Sequence, residues 1–295
     1  MMHDRITNIE QIEKWRTTRY SSIFTRHNFQ KILTDDLALF DGIIMDYGGA
    51  ITKKDTLTYK DYLIHIFRYL TQNYRNEYII KNALLNALIC KYGTTKTIAL
   101  NEFAVGESIA DMVLFNGCSK AFEIKTEYDT PKRLATQLAD YKKIFQYCYL
   151  VVHRDSLPKY SKEVDESIGV ITYCMKRGRF SFEEFRSAKE NLDIDPHLLM
   201  RCLHTDEYKK IVQTYYGYLP TMNSFTAFDI CEESISKIPS EELHKLFIKT
   251  VKERKSNMKH LKSYDSCMRQ MCLSMHLTPN EYEIINTRLL TTVKL

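Results

Sequence analysis

Three residues near the middle of the chain combine types and spacing suited to phosphoryl chemistry: Asp111, Glu123 and Lys125. Asp111 interrupts the apolar run 109–115, and Glu123 and Lys125 alternate with Phe122 and Ile124 inside the run 120–126. Side chains of a strand point alternately to its two faces, so Glu123 and Lys125 share one face while Phe122 and Ile124 take the other. A charge in such a sheet is costly unless it is paired or holds a metal. Two carboxylates on neighbouring strands can hold one hard divalent cation such as Mg²⁺, with the lysine close enough to meet a scissile phosphate or its attacking water. The other use of the same three groups is a buried structural ion-pair network.

The surrounding elements have to place these residues. Segments 97–105, 109–115 and 120–126 are short and rich in Ile, Val and Phe, and are separated by Gly106 and by the hairpin dipeptide Asn116-Gly117. They predict three strands, the last two paired antiparallel. Before them, residues 76–92 predict a helix with Ile80, Leu84 and Leu88 on one stripe and Gly93 as its stop. After them, Thr130-Pro131 opens a helix to about Phe145, 147–153 reads as a buried strand and 168–174 as another. Residues 8–72 have helical spacing interrupted at Gly48-Gly49; Asp46-Tyr47-Gly48-Gly49 is a plain turn, since no Lys-Ser/Thr follows it as in a phosphate-cradling loop. From about Phe182 onward only helical patterns are visible, including 196–216 and 241–258. The prediction is an α/β protein whose mixed central sheet is flanked by helices. It divides into a helical N-terminal portion (1–75), a sheet-bearing core (76–180) and a helical C-terminal domain (181–295).

Asp111 with Glu123-Ile124-Lys125, on the order helix, three strands, helix, strand, resembles the PD-(D/E)XK nuclease superfamily, whose members cut phosphodiesters with a divalent metal. The run from Glu123-Ile124-Lys125-Thr126 through Asp129-Thr130 and Arg133-Leu134 to Gln137 is similar to a smaller bacterial group of such proteins. The resemblance implies a central sheet of that nuclease type and a Mg²⁺ or Mn²⁺ cofactor. It implies Asp111, Glu123 and the backbone carbonyl of Ile124 as metal ligands and Lys125 as the contact to phosphate or water. Gln137 on the next helix is the implied catalytic auxiliary, with Arg133 and Tyr141 on the same helical stripe as substrate contacts. Glu102 on the first strand and Glu77 at the start of the preceding helix match places where an additional acidic residue occurs, Glu102 as a further metal ligand. The likeness covers about residues 76–152. Ala110 stands where the signature has Pro, and Ile109 where the smaller group leads one to expect arginine.

Composition narrows the remaining classes. With 44% hydrophobic and 27% charged residues over 295 positions, the chain can bury a core and is not a disordered tail. Its first residues lack the apolar stretch of a signal peptide and no apolar run nears the ~18 residues of a membrane span, so a cytoplasmic protein without a membrane partner is expected. Eight cysteines without a CxxC pair point to reduced thiols, and Cys267, Cys272 and His276 lack a fourth zinc ligand. Net charge is +5, and between Glu241 and Gln270 eight Lys and Arg face four Asp and Glu. Lys245, Lys249, Lys252, Lys255, Lys259 and Lys262 recur at steps of three and four, a stripe on one helix. Lys245, Lys249, Lys252 and Lys259 are therefore expected along a nucleic-acid backbone, the alternative being a solvated helix face. Together these readings predict a divalent-metal nuclease acting on DNA more than RNA, in bacterial or phage-related defence. The alternative is a non-catalytic module that binds nucleic acid, or a protein partner through the helical flanks.

Overall fold

The computed structural model describes residues 2–47, 56–160 and 164–293, with side chains from Glu10 onward. The turn expected at Gly48-Gly49 lies outside them. The chain forms two compact units, one from Met1–Ala87 with Lys259–Leu295 and one from Leu88–Met258. The last 37 residues thus belong with the N-terminal helices, which pattern reading could not reveal because it follows the chain in order.

The first unit is helical: α1 (Met2–Ile23), α2 (Arg26–Leu33), α3 (Ala38–Tyr47), α4 (Tyr59–Asn73), α12 (Arg269–Ser274) and α13 (Pro279–Leu289), with α5 (Glu77–Tyr92) leading out of it. Capping boxes open α4 at Thr58/Asp61 and α13 at Thr278/Glu281, each satisfying backbone N–H groups a helix cannot pair for itself. Chain-distant backbone bonds close this unit, from the Tyr59 N–H to the Thr291 carbonyl (3.3 Å) and from the Val293 N–H to the Leu57 carbonyl (2.8 Å).

The second unit is built on six strands in the spatial order β1 (Ile98–Val105), β2 (Ser108–Phe115), β3 (Ser119–Lys125), β4 (Tyr147–His153), β5 (Gly169–Lys176), β6 (Arg179–Arg186). β1, β2 and β3 form an antiparallel meander, β3–β4 and β4–β5 are parallel, and β5–β6 is antiparallel. The α/β class with a mixed, helix-flanked sheet is therefore as expected. The Phe115↔Ser119 register leaves a three-residue loop, with Gly117 at φ +107° where a side chain would be strained. The parallel β3–β4 step needs a crossover, supplied by a 3₁₀ turn (Pro131–Arg133) and α6 (Leu134–Lys142). β4 is apolar throughout its middle because both its neighbours and both its faces are protein.

α7 (Leu157–Tyr160) lies between β4 and β5, and after β6 come α8 (Pro196–Arg201), α9 (Thr205–Tyr216), α10 (Ala227–Ile235) and α11 (Ser240–Val251). Phe103, Phe115, Phe145 and Phe247 interlock in the core, with ring centroids 5.6–6.3 Å apart. Such pairs add about 0.5–1.5 kcal/mol each beyond the area they bury.

Three expectations are corrected. The stretch from Phe182 is not helical at its start: β6 follows β5 through a tight Arg177-Gly178 turn, both residues at positive φ. The helix read over 196–216 is two helices, because the His204 backbone N–H is taken by the Glu207 carboxylate and a new helix starts there. The helix read over 241–258 ends at Val251, where Arg254 turns inward to grip Glu207 through two bonds of 2.6 and 2.7 Å and to lie over the Phe103 ring. Among the described residues no helix is long and apolar enough to cross a membrane.

Candidate active site

The β2–β3 ladder pairs Met112 with Phe122 and stops there. One step further, where Asp111 faces Glu123, a side chain replaces the backbone: Asp111 Oδ2 accepts the Ile124 N–H at 2.7 Å. Ile124 thus enters the site through its N–H. Glu123 is 2% exposed, and its two oxygens have separate partners. Lys125 Nζ donates to Glu123 Oε1 at 2.6 Å and to Gln137 Oε1 on α6 at 3.0 Å. The Tyr141 hydroxyl, one helical turn after Gln137, lies 2.7 Å from Glu123 Oε2 and 2.7 Å from the Ile109 carbonyl oxygen. Period-2 alternation on β3 and the four-residue repeat on α6 bring these groups together.

Burial raises the Glu123 pKa, and the nearby Asp111 charge raises it further; the bonds from Lys125 and Tyr141 offset this only in part. Burial together with the Glu123 charge holds Tyr141 far above its ordinary value, so its hydroxyl keeps its proton. That single proton cannot serve both of its acceptors. A protonated Glu123 resolves the conflict by donating to Tyr141, which then donates to Ile109.

The loop after β3 anchors Lys125 from behind. Asp129 Oδ2 accepts the Thr126 N–H (2.7 Å) and the Thr126 hydroxyl (2.8 Å), and the Asp129 carbonyl takes bonds from Lys159 and from the Tyr160 hydroxyl. Sequence reading assigned no task to Thr126 or Asp129, although Thr-x-x-Asp is a recognisable side-chain-closed turn. His153 caps the end of β4 by accepting the Asp155 N–H at 3.3 Å and approaches Glu127 at 3.7 Å.

Asp111, Glu123, Lys125, Gln137 and Tyr141 therefore converge. Tyr141, expected on the substrate, is fully buried and touches the Glu123 carboxylate instead. Arg133 is exposed on the 3₁₀ turn before α6. Glu102 comes opposite Asp111 by the β1–β2 register, but it is exposed and its backbone has φ +52°, a strained value for a non-glycine. Glu77 pairs with Lys81 along α5 in the first unit.

The expected single-helix lysine stripe does not form. Lys245 and Lys249 are on α11, Lys252 caps its end, and Lys259 is in a 3₁₀ turn of the first unit. Lys245 is paired with Glu241 and Glu242 at 2.9 Å each.

The donor set suits a hard divalent ion. Once Glu123 gives up its proton, Asp111 and Glu123 bring two negative charges against one positive charge on Lys125, and a cation would offset the burial and the Asp111 charge that raise the Glu123 pKa. Mg²⁺ commonly uses only one or two protein carboxylates and keeps several waters. Among the described residues no group of three His, Cys, Asp or Glu side chains is placed to hold a metal.

Comparison with known proteins adds a lineage. The bacteriophage P4 protein cII family matches residues 71–277, a span that contains the whole sheet and all five converging residues. Protein cII of Enterobacteria phage P4 is 26% identical over 177 residues, which cover 59% of this chain and 66% of that protein, just under two thirds of its length. A solved protein of unknown function from Silicibacter pomeroyi overlaps with a TM-score of 0.31 and 11% identity, over 45% of this chain and 87% of that one. An overlap so slight decides nothing about fold or function.

Proposed function

The chain belongs to the bacteriophage P4 protein cII family, and we propose that this member is a Mg²⁺- or Mn²⁺-dependent nuclease that hydrolyses phosphodiester bonds, of DNA rather than RNA. One observation carries the reading: a buried Glu123 with a raised pKa faces Asp111 across splayed strand ends, while Lys125 is held between Glu123 and Gln137. The order of elements around them, helix, meander, helix and parallel strand, resembles that of the PD-(D/E)XK nucleases and supports the reading.

Asp111 and Glu123 would hold the cation, which supplies positive charge where negative charge builds on the phosphate. Lys125 orients the attacking water or stabilises the transition-state phosphate, and Gln137 fixes the direction of its ammonium. Tyr141 keeps the Glu123 carboxylate turned toward Asp111. The phage relative fits a phage-related defence setting in the cytoplasm, with the helical flanks available to a protein partner.

The test is cleavage of plasmid, linear and single-stranded DNA by purified protein with Mn²⁺, using EDTA, Asp111→Ala and Glu123→Ala as controls. Cutting lost in all three controls supports the nuclease. Cutting that persists in Glu123→Ala contradicts it.

A second reading, a binding module without catalysis, is favoured by one feature. Both Glu123 oxygens already have protein partners, so the network closes on itself without a cation. That reading expects DNA binding that survives both EDTA and Asp111→Ala.

A further inference from the structure

The α11 lysines, displaced from the expected stripe, meet another element. Lys245, Ile248, Lys249, Lys252 and Glu253 line a cleft of about 340 Å³ whose far wall is Gly117 at the β2–β3 hairpin. The charges lining it are not equivalent. Lys245 is neutralised by Glu241 and Glu242, and Glu253 is taken by Lys210. The Lys249 and Lys252 side chains have no hydrogen bond or ion pair among the described residues. Two uncommitted ammonium groups thus border a cleft of phosphate-admitting size, beside a glycine where an added Cβ would meet nothing within 4 Å.

The cleft cannot serve the same phosphate as Lys125. Gly117 is in the loop that precedes β3 and Lys125 at the far end of that strand; six strand steps of ~3.3 Å with part of the loop put them roughly 20–25 Å apart. Duplex DNA rises about 3.4 Å per base pair, so this interval matches about six to seven base pairs. A duplex is stiff over that length and can occupy two fixed points without being ordered for the purpose, whereas a single strand would have to be ordered along the whole interval.

We propose that Lys249 and Lys252, with the Gly117 hairpin, grip a second backbone phosphate of duplex DNA about six to seven base pairs from the one at Lys125. This rests on the DNA reading of the Asp111–Glu123–Lys125 site. It sets a minimum substrate length: a duplex shorter than the interval reaches one point but not both.

The test is binding in EDTA, where no cutting occurs, of fluorescent 6- and 20-base-pair duplexes to wild type and to Lys249→Ala/Lys252→Ala. On the 20-mer the double variant should lose one phosphate contact. Its slope of log K against log salt would fall by about 0.9, so that raising salt from ~50 to ~200 mM weakens it about three- to fourfold less than wild type. On the 6-mer, which reaches only one point at a time and can still be held at Lys125, the double variant should lose less than on the 20-mer. Equal loss on both lengths, which a general field effect would produce, overturns the proposal, as does an unchanged slope on the 20-mer. A protein that binds as expected but never cuts with Mn²⁺ keeps the cleft and removes the nuclease reading. EDTA-sensitive cutting with an unchanged double-variant slope does the reverse.

Discussion

The Tyr141 hydroxyl stands 2.7 Å from Glu123 Oε2 and equally close to the Ile109 carbonyl, so a residue of α6 ties the candidate metal ligand to the backbone of β2. Removing it should be felt in the fold as well as the site. Tyr141→Phe leaves a buried acceptor without its donor, which costs about 1–3 kcal/mol. The variant should melt several degrees lower and bind Mn²⁺ more weakly. An unchanged melting temperature would mean that the hydroxyl does not hold Glu123.

Glu123 itself is expected to weaken the metal-free fold. Its pKa is raised in the native state, so the folded protein holds this proton more tightly than the unfolded chain. The penalty is absent below the unfolded value of about 4.5 and grows as pH rises from there through the folded pKa. Glu123→Gln reproduces the protonated form, its amide donating to Tyr141 and its oxygen accepting from Lys125. In EDTA at pH 8 it should therefore be more stable than wild type while losing cleavage. A lower melting temperature for the variant would count against this account.

Cation binding should reverse that penalty. A ligand at one hundred times its Kd stabilises the native state by about 2.7 kcal/mol. Mn²⁺ should thus raise the wild-type melting temperature and leave Asp111→Asn unmoved, a comparison independent of any cutting assay.

Far from the site, His244 predicts an acid limit. It is buried, its Nε2 lies 2.7 Å from Ser119 Oγ, its Nδ1 has no partner, and burial lowers its pKa to about 4. The native state excludes a proton that the unfolded chain accepts near 6.5, so the stability it contributes is complete above 6.5 and is lost as pH falls toward 4. The loss reaches at most about 3 kcal/mol. Urea unfolding at pH 5 and 7.5 should show this difference, and His244→Leu should flatten it.

The loop behind Lys125 is open to a similar test. Asp129→Ala strips the acceptor from the Thr126 N–H and hydroxyl. Cleavage should fall through kcat with little change in KM, and Asp129→Asn, which keeps one acceptor oxygen, should restore most of it.

The three strands with the β2–β3 hairpin, β4 and the grouping of the five converging residues were legible in the sequence because each rests on a local rule: alternation on β3, Gly106 and Asn116-Gly117 at the turns, a three- to four-residue repeat on α6. What was not legible depends on distant partners. No local feature stops a helix at Val251, since Lys252, Glu253, Arg254 and Lys255 all favour helix; Glu207, 47 residues away, draws Arg254 out of it. β6 was hidden because its outward Glu183 and Glu184 read as the start of a helix, although Phe180 and Phe182 alternate as a strand should. Tyr141 was placed correctly on its stripe, but burial gave it the carboxylate as neighbour.

The backbone bridge between Thr58 and Thr292 has a consequence in time. As the chain leaves the ribosome at ~5–20 residues per second, these partners emerge roughly 10–50 s apart. The sheet-bearing unit, contiguous from Leu88 to Met258, is complete within that wait. The faces of α2 and α4 that pack against α12 and α13 are made early and meet their partners last, so during synthesis they stay open to chaperones and to aggregation.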